Sequence, residues 1–357
     1  MTQLLFTTNP GLEDVVAAEF EERVAAAGLG ETAVSLKPFD LDGQVMVDNP
    51  ASMADLWPLA QQMRSVYHVI RPLHVFDLPD TEPLARIRQV VGELDIAEME
   101  TAVSFRATGN RTGEHEFTSV DVQRVAGAAL VEKYGTAVDL TGYEVDVRLD
   151  VIQQRCWVGL QLTRVRLSKR QTRVYTPMAA LKTVLAYAML RFARLDDGSG
   201  GLLDPFCGSG TILIEAAQSF PDLPLYGSDA FPKPVQGTAD NMAASGVGGQ
   251  AQLIQADARD LRDHYEPGSM RAIVTNPPFG VRLGRRSDFR HLYSNFLQGA
   301  HRILEPGGRL VVLVGRRRAF NFILDKVGGF HLAHVRIVET GGIYPAIFVL
   351  ERRQRET

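Results

Sequence analysis

The chain has 357 residues, of which 45% are hydrophobic and 22% charged, a composition typical of a globular protein with two or three domains. No apolar run approaches the length of a membrane span, and residues 1–20 lack the basic-then-apolar pattern of a signal peptide. The two cysteines, Cys156 and Cys207, have no His or Cys partners at metal-ligand spacing. We therefore expect no disulfide framework, no metal site and a reducing, cytoplasmic location.

The formal net charge of −4 conceals an asymmetry between the two parts of the chain. Residues 1–150 contain 11 Lys/Arg against 25 Asp/Glu, a net charge of −14, whereas residues 151–357 contain 27 against 17, a net charge of +10. Between Asp150 and Asp196 there are nine Lys or Arg residues and no acidic residue. Such a one-signed segment indicates a phosphate-binding track, and a solvated linker face is the alternative.

The first 165 residues predict two small α+β modules. Residues 1–62 begin with a strand at residues 3–6 and a turn at Asn9-Pro10-Gly11, and a helix with apolar residues at helical spacing follows. We can assign no chemistry to this module.

Residues 63–165 predict the second module. Its polar stretch at residues 108–113 is expected to be a loop, followed by a helix near residues 120–134 with Thr118 or Ser119 as its cap. Two strands then alternate apolar and polar residues, and Gln153-Gln154 between them predicts a hairpin.

Residues 166–197 predict a basic linker and a helix near Met178–Phe192, and residues 198–357 alternate strands with helices. This alternation predicts an α/β fold with a doubly wound, mostly parallel sheet, whose ligands bind outside the carboxyl ends of the strands. The expected strands are Leu202-Leu203, Leu225–Ser228, Gln252–Ala256, Ala272–Asn276, Arg309–Val314, Leu332–Val338 and Ile343–Leu350.

A glycine-rich turn, residues 204–211, connects the first of these strands to a helix. Gly208 and Gly210 permit close backbone approach to a ligand. Asp204 at the strand end would repel a pyrophosphate and attract an ammonium group. Asp229 follows it by 25 residues, where a ribose-binding carboxylate is expected, and Asp257 is placed to accept a hydrogen bond from an adenine amine.

An acid at each of three successive strand ends suits S-adenosylmethionine, which has a ribose, an adenine and a cationic amino acid but no phosphate. Each acid by itself is more often a helix cap or a turn former. The residues predicted to bind this cofactor are Asp204, Pro205, Gly208, Ser209, Gly210, Thr211, Asp229, Asp257, Ala258 and Asn276.

The fourth strand ends in Asn276-Pro277-Pro278-Phe279, which predicts the catalytic segment. Proline fixes its own φ and restricts the residue before it, so the carbonyl groups of Asn276 and Pro277 are held in fixed directions. Two acceptors beside the aromatic ring of Phe279 suit a planar exocyclic amine whose lone pair attacks a methyl group. A plain turn at the end of a strand is the alternative.

These motifs resemble those of class I S-adenosylmethionine-dependent methyltransferases of the amino-group type, with residues 204–211 as the first motif and residues 276–279 as the fourth. Residues 60–165 resemble a THUMP RNA-binding domain, and the opening Asn9-Pro10-Gly11-Leu12-Glu13 is similar to the ferredoxin-like module that precedes it in such enzymes. The resemblance implies a Rossmann-like catalytic domain and a tRNA methyltransferase that modifies the exocyclic amine of a guanosine in the acceptor stem.

We expect this protein to bind tRNA as a monomer, without a metal ion. The arginines and lysine predicted to contact RNA are Arg106, Arg111, Arg164, Arg166, Lys169, Arg170, Arg173, Arg282, Arg285 and Arg286. Three alternatives stay open: methylation of guanine in ribosomal RNA, methylation of another amine such as adenine or a glutamine side chain, and a non-catalytic RNA-binding protein on a methyltransferase scaffold.

Overall fold

The structure is a computed structural model that describes residues 1–177, 180–195, 200–278 and 286–353, with the backbone alone at residues 286–288. The chain divides into two compact units. Unit 1 comprises Met1–Thr7 and Val16–Leu167, and unit 2 comprises Thr8–Val15 and Ser168–Thr357. None of the described helices is long and apolar enough to cross a membrane.

The N-terminal part of the chain, up to Gln161, folds into a sheet and the helices that connect its strands. Its strands are β1 (Thr2–Thr7), β2 (Ala33–Leu36), β3 (Gln44–Asn49), β4 (His68–Asp77), β5 (Ser104–Thr112), β6 (Ala137–Val138), β7 (Val145–Ile152) and β8 (Arg155–Gln161). Its helices are α1 (Glu13–Ala26), α2 (Met53–Gln61), α3 (Pro83–Glu93), α4 (Ala97–Thr101) and α5 (Ser119–Tyr134).

Within the described part of unit 1, all of these strands join a single sheet in the order β2-β3-β1-β4-β8-β7-β5-β6. Strand β4 connects the two predicted modules because it pairs antiparallel with β1 on one side and with β8 on the other. The module boundary near residue 62 therefore does not separate two sheets, and the division of this unit into two domains stays a prediction.

Two local predictions for this unit are confirmed and one is wrong. Strands β7 and β8 form the expected hairpin, and Thr118 caps α5 in a reciprocal capping box with Asp121. The polar stretch 108–113 is not a loop, because β5 continues to Thr112 in parallel register with β7. Gly109 in this stretch allows α5 to pack closely on β5, because a Cβ there would lie 2.7 Å from the carbonyl oxygen of Ser119 at the start of α5.

Unit 2 supplies the second sheet and its helices. Its strands are β9 (Gly201–Asp204), β10 (Leu225–Asp229), β11 (Ala251–Gln255), β12 (Met270–Thr275), β13 (Leu304–Val314), β14 (Phe330–Ile337) and β15 (Ala346–Arg352). Its helices are α6 (Thr183–Ala193), α7 (Thr211–Ser219), α8 (Pro232–Ala244), α9 (Leu261–His264), α10 (Arg286–Ile303) and α11 (Arg317–Val327).

The strands of unit 2 follow the order β11-β10-β9-β12-β13-β15-β14, which confirms the predicted doubly wound α/β fold. Strands β9 to β13 are parallel, while β15 pairs antiparallel with both β13 and β14. From β9 the chain adds β10 and β11 on one side and then β12 and β13 on the other. The strand order thus reverses between β9 and β12, and ligands of such sheets bind at this reversal.

A short N-terminal segment, Thr8–Val15, belongs to unit 2. The Asn9 side-chain amide donates to the carbonyl oxygen of Glu339 at 2.7 Å. Arg336 on β14 forms two hydrogen bonds of 2.7 Å with the Asp14 carboxylate. The predicted first domain, residues 1–62, therefore includes a segment whose contacts are with the C-terminal sheet.

We predict that replacing Glu19 with alanine destabilises unit 1 by about 2–4 kcal/mol, because buried donors lose their acceptor. The buried Glu19 carboxylate accepts from the backbone amides of Arg64 and Ser65 at 2.8 and 2.9 Å, and from the Ser65 hydroxyl at 2.6 Å. Urea unfolding followed by circular dichroism measures the effect. The exposed Glu21→Ala is the control and should shift stability by less than about 0.5 kcal/mol; an equal effect of both would contradict the prediction.

Candidate active site at the strand reversal

Asp204, the last residue of β9, is buried at the strand reversal. Its Oδ1 accepts a hydrogen bond of 2.6 Å from the Thr275 hydroxyl of β12 and one of 3.2 Å from the Phe206 amide. Burial raises the pKa of this carboxyl to about 7, against the opposing effect of these hydrogen bonds. No cationic side chain is bonded to Asp204 in the described structure. A cationic ligand could therefore provide the counter-charge that this carboxyl lacks.

The turn after Asp204 contains two glycines in backbone conformations that other residues rarely adopt. Gly208 and Gly210 adopt φ values of +54° and +74°, and a Cβ on Gly210 would lie 2.8 Å from Cγ2 of Thr238 on α8. Ser209 and Thr211 are buried, with their hydroxyl oxygens 3.1 Å apart. The predicted turn therefore lies beside Asp204 and is packed closely against α8.

Asp229 ends β10 and Asp257 lies two residues after β11, and the two carboxylates differ in their electrostatic surroundings. The Asp229 carboxylate accepts from the amides of Gly208 and Phe231 at 3.3 and 3.2 Å, and burial raises its pKa. Asp257 is bonded to Arg259, whose Nε and Nη2 donate to its two oxygens at 2.9 and 2.6 Å and lower its pKa. The predicted adenine acceptor thus already has a strong partner, while Asp229 is held mainly by backbone amides.

Asn276 lies on the other side of the reversal, directly after β12. Its side-chain Oδ1 is buried and has no hydrogen-bond partner within the described structure. Pro277 is buried, and the carbonyl oxygen of Pro278 accepts a hydrogen bond of 3.3 Å from Tyr293 of α10. The predicted catalytic residue Phe279 lies outside the described residues, as do Arg282 and Arg285 and the side chain of Arg286.

A cavity of about 80 Å³ is lined by residues from both sides of the strand reversal. Asp204, Gly208, Thr211 and Asn276 line it, together with Leu181 from the segment before α6. Five residues predicted to bind the cofactor are not among its lining residues: Pro205, Gly210, Asp229, Asp257 and Ala258. The sequence predicted Leu181 to lie within a helix near Met178–Phe192; instead α6 begins at Thr183, and Leu181 precedes it and lines the cavity, a contribution that the sequence predictions did not include.

Two arginines of the basic linker contact α7 and the segment before α6. Arg170 contacts the fully buried carboxylate of Glu215 on α7, with Nη2 and Oε1 2.8 Å apart. Arg173 donates to the Leu181 carbonyl and the Thr211 hydroxyl, each at 3.0 Å, and burial lowers its pKa. Both guanidinium groups therefore have partners within the protein, and their predicted RNA contacts stay predictions; Lys169 beside them is exposed.

The predicted RNA-binding residues of unit 1 lie at three places. The Arg106 guanidinium pairs with Asp146 at 2.6 Å and lies 4.3 Å from the ring centre of Tyr143, over which Arg164 also lies at 5.3 Å. Arg166 lies 5.7 Å from the Tyr67 ring. Arg111 donates to the carbonyl oxygen of Gly113 at 2.9 Å. Arg111, Arg164 and Arg166 are exposed, and Arg106 is half-buried.

Within the described residues, no three His, Cys, Asp or Glu side chains are grouped so that they could hold a metal ion. The buried thiols of Cys156 and Cys207 have raised pKa values, chiefly because of burial. Besides the Cys207 thiol, the polar side chains that line the cavity carry carboxylate, hydroxyl and amide groups.

Two family profiles match the chain. A THUMP domain matches residues 84–161, and an RMKL-like methyltransferase domain matches residues 170–346. The THUMP match lies in unit 1 and the methyltransferase match contains the glycine-rich turn, the cavity and Asn276. These matches confirm the resemblance inferred from the motifs.

Individual relatives match over nearly the full length. The chain is 37% identical to the tRNA (guanine(6)-N2)-methyltransferase of Thermus thermophilus, over 97% of this chain and 98% of the relative. It is 30% identical to the enzyme of the same name from Archaeoglobus fulgidus, over 96% and 90%. The crystal structure of TrmN from Thermus thermophilus superposes with a TM-score of 0.77 at 35% identity, covering 99% of this chain and 100% of that one.

We predict that Arg170→Met lowers the free energy of unfolding of unit 2 by about 3–5 kcal/mol, because it leaves the Glu215 carboxylate buried without its cation. The double variant Arg170→Met/Glu215→Leu should recover most of that loss, since an apolar pair replaces the ion pair. Chemical denaturation of the three proteins measures both effects. A stable single variant with weakened tRNA binding would contradict this prediction and support Arg170 as an RNA contact.

Proposed function

We propose that this chain, which belongs to the family of THUMP-domain tRNA (guanine(6)-N2)-methyltransferases, transfers a methyl group from S-adenosylmethionine to the exocyclic amine of a guanosine in the acceptor stem of tRNA. The observation that supports this most directly is the buried Oδ1 of Asn276, which has no hydrogen-bond partner among the described residues and lies in the same cavity as Asp204. An acceptor without a partner in a buried site is costly, and a bound amine would remove that cost.

The residues at the strand reversal fit S-adenosylmethionine, which when bound supplies an electrophilic sulfonium methyl group. Asp204 would hold the ammonium group, because its carboxyl is buried and accepts only from Thr275 and Phe206 among the described contacts. The glycine turn admits a ligand against its backbone. Asp229 would accept from the ribose hydroxyls. Asp257 and Ala258 would contact the adenine, with Arg259 orienting the Asp257 carboxylate.

Asn276 and its neighbours would position the target amine. The side-chain oxygen of Asn276 and the carbonyl oxygen of Pro277 would accept the two amine hydrogens, which draws the nitrogen toward tetrahedral geometry and aims its lone pair. Positioning of this kind dominates the rate of an in-line displacement. A general base is unnecessary beforehand, because the nitrogen proton becomes acidic only after the methyl group is attached. Phe279, as predicted from the sequence, would stack on the guanine.

Access to the amine requires the guanosine to leave its base stack, at a cost of a few kcal/mol that stacking on an aromatic ring partly offsets. We propose that the THUMP domain and the exposed cations Arg111, Arg164, Arg166 and Lys169 hold the tRNA while this occurs. The salt-bridged Arg106 would act locally, beside Tyr143. The monomeric state and cytoplasmic location stay predictions.

A methyl-transfer assay tests this function. The protein is incubated with tritiated S-adenosylmethionine and, in parallel, unmodified tRNA, ribosomal RNA and protein extract, and labelled nucleosides are then identified. We expect label in tRNA as N2-methylguanosine, mapped to the sixth nucleotide. Label in ribosomal RNA, in adenosine or in protein would overturn the substrate, and cofactor binding without label in any acceptor would indicate the non-catalytic alternative.

We predict that Asn276→Ala lowers kcat for tRNA methylation by about 100-fold or more, the range observed when one positioned polar group is removed from a transition state. The dissociation constant of S-adenosylmethionine should change little, because Asn276 acts on the amine. Single-turnover methylation and calorimetry measure the two quantities. Asn295→Ala, which removes an amide on α10 that does not line the cavity, is the control; near-normal turnover of Asn276→Ala would refute the assignment.

We also predict that the affinity for S-adenosylmethionine falls about fivefold as the pH drops from 7 to 6. The pKa of Asp204 in the free protein is about 7, so below it the carboxyl is neutral and must release a proton to bind the ammonium group. Titration calorimetry in buffers of different ionisation enthalpy should detect this proton release. Asp204→Asn should bind more weakly, without pH dependence over this range; an unchanged pH profile would contradict the role of Asp204.

The same pKa shift affects the stability of the unliganded protein. Because the folded pKa of Asp204 is raised above the ordinary value of 3.8, its protonated form favours the fold, and this contribution declines as the pH rises from about 4 to about 7. Cofactor binding has the opposite pH dependence. The two effects can therefore be separated by comparing free and liganded protein.

A further inference from the structure

Helix α11 begins at the same edge of the sheet as the candidate active site. Strand β13 ends at Val314 and leads through Arg316, the N-cap residue, into α11. Strands β12 and β13 are parallel, and Thr275 lies opposite Val312. Arg316 and Asn276 therefore follow neighbouring strands at their carboxyl ends.

A series of contacts connects Arg316 to the Asn-Pro-Pro segment. The Arg316 guanidinium carbon lies 5.7 Å from the ring centre of Phe289 on α10. The ring centres of Phe289 and Tyr293 are 4.3 Å apart, and the Tyr293 hydroxyl donates to the Pro278 carbonyl oxygen at 3.3 Å. A ligand that contacts Arg316 would therefore lie close to the catalytic segment.

The outer face of α11 continues this positive charge. Arg317 and Arg318 are exposed next to Arg316, and Arg318, Phe322 and Lys326 recur every four residues, on one face of the helix. The core side of α11 consists of other residues, Phe320, Ile323 and Leu324, which are buried.

Two of the cations lie over the aromatic ring of Phe322. Its side chain is 46% exposed, although it is a large apolar group. The Lys326 ammonium lies 4.5 Å from its ring centre, and the guanidinium carbon of Arg290 on α10 lies 5.3 Å from it. Because both cations lie over this ring, Phe322 is poorly placed to stack on a base and instead holds the two charges at the surface.

We use the name α11 basic surface for Arg290, Arg316, Arg317, Arg318, Phe322 and Lys326. Within the described part of the chain none of its five cations forms an ion pair, whereas Arg309 and Arg336 of the same unit pair with Glu351 and Asp14. The acidic residue on α11 is Asp325, which is exposed and forms no ion pair with these cations in the described structure. Five like charges without counter-charges repel one another, and an anionic partner would relieve that repulsion.

We propose that the α11 basic surface binds the phosphodiester backbone of the RNA helix next to the target nucleotide, which rests on the proposed function. Five cations along a helix suit a row of phosphates, whose neutralisation releases counterions. Double-stranded RNA fits better than a single strand, because this surface offers charge without a free stacking platform. Its position beside the catalytic segment would hold the duplex while the guanosine is turned out.

The test compares two double variants with the same loss of charge. Arg317→Ala/Arg318→Ala changes the α11 basic surface. The control, Arg302→Ala/Arg353→Ala, removes two exposed arginines at the opposite edge of the sheet, where β13 begins and β15 ends. For each protein, KM and kcat for tRNA methylation are measured between low and physiological salt concentrations, and the dissociation constant of S-adenosylmethionine is measured separately.

For Arg317→Ala/Arg318→Ala we expect KM for tRNA to rise about tenfold at low salt, with kcat at saturating tRNA and the affinity for S-adenosylmethionine unchanged. The slope of log KM against log salt should become shallower by about two, one for each lost phosphate contact. The control should retain the slope of the unaltered protein. Equal slopes and KM values in both variants, with methylation intact, overturn this proposal alone; an unaltered protein that methylates no guanosine overturns the proposed function as well.

Discussion

The hydrogen bond between Thr275 and Asp204 joins the two halves of the catalytic sheet at the point where its strand order reverses. The donor precedes Asn276 on β12, and the acceptor opens the glycine-rich turn after β9. Since each strand end is fixed by its parallel pairing, this bond sets the separation between the group expected to hold the cofactor and the group expected to hold the amine. The adjacency exists only because β12 returns to the sheet beside β9.

The site keeps a buried carboxyl without a cationic partner and a buried amide oxygen without a hydrogen-bond partner among the described residues. The Asp204 carboxyl is buried, which raises its pKa to about 7, and the Asn276 oxygen is buried without a partner in the described structure. Both features disfavour the folded, unliganded protein. The ammonium group of the cofactor would interact with Asp204, and the amine of the substrate would donate to Asn276. Because binding removes both penalties, each ligand would bind more favourably than to a site whose polar groups were already paired.

Positive charge is used in two different ways in this molecule. Arg170 and Arg173 stand in the most basic stretch of the sequence, yet they bind Glu215, Thr211 and the Leu181 carbonyl. Arg316, Arg317 and Arg318 are three consecutive arginines at the start of α11; they are exposed and form no ion pair in the described structure. A basic stretch in the sequence therefore does not by itself show whether its arginines have partners within the fold.

The sequence by itself determined the fold class of unit 2, the glycine-rich turn, and the order of acids at successive strand ends, because strand and turn signals are local. It also identified Asn276-Pro277-Pro278 as the catalytic segment, an assignment that stays a proposal. It did not determine that β5 continues through a polar stretch, since parallel pairing with β7 overrides the local turn signal. Only the tertiary structure placed Thr275 on Asp204, Arg170 on Glu215 and Arg316 over the ring of Phe289, because each contact joins residues distant along the chain.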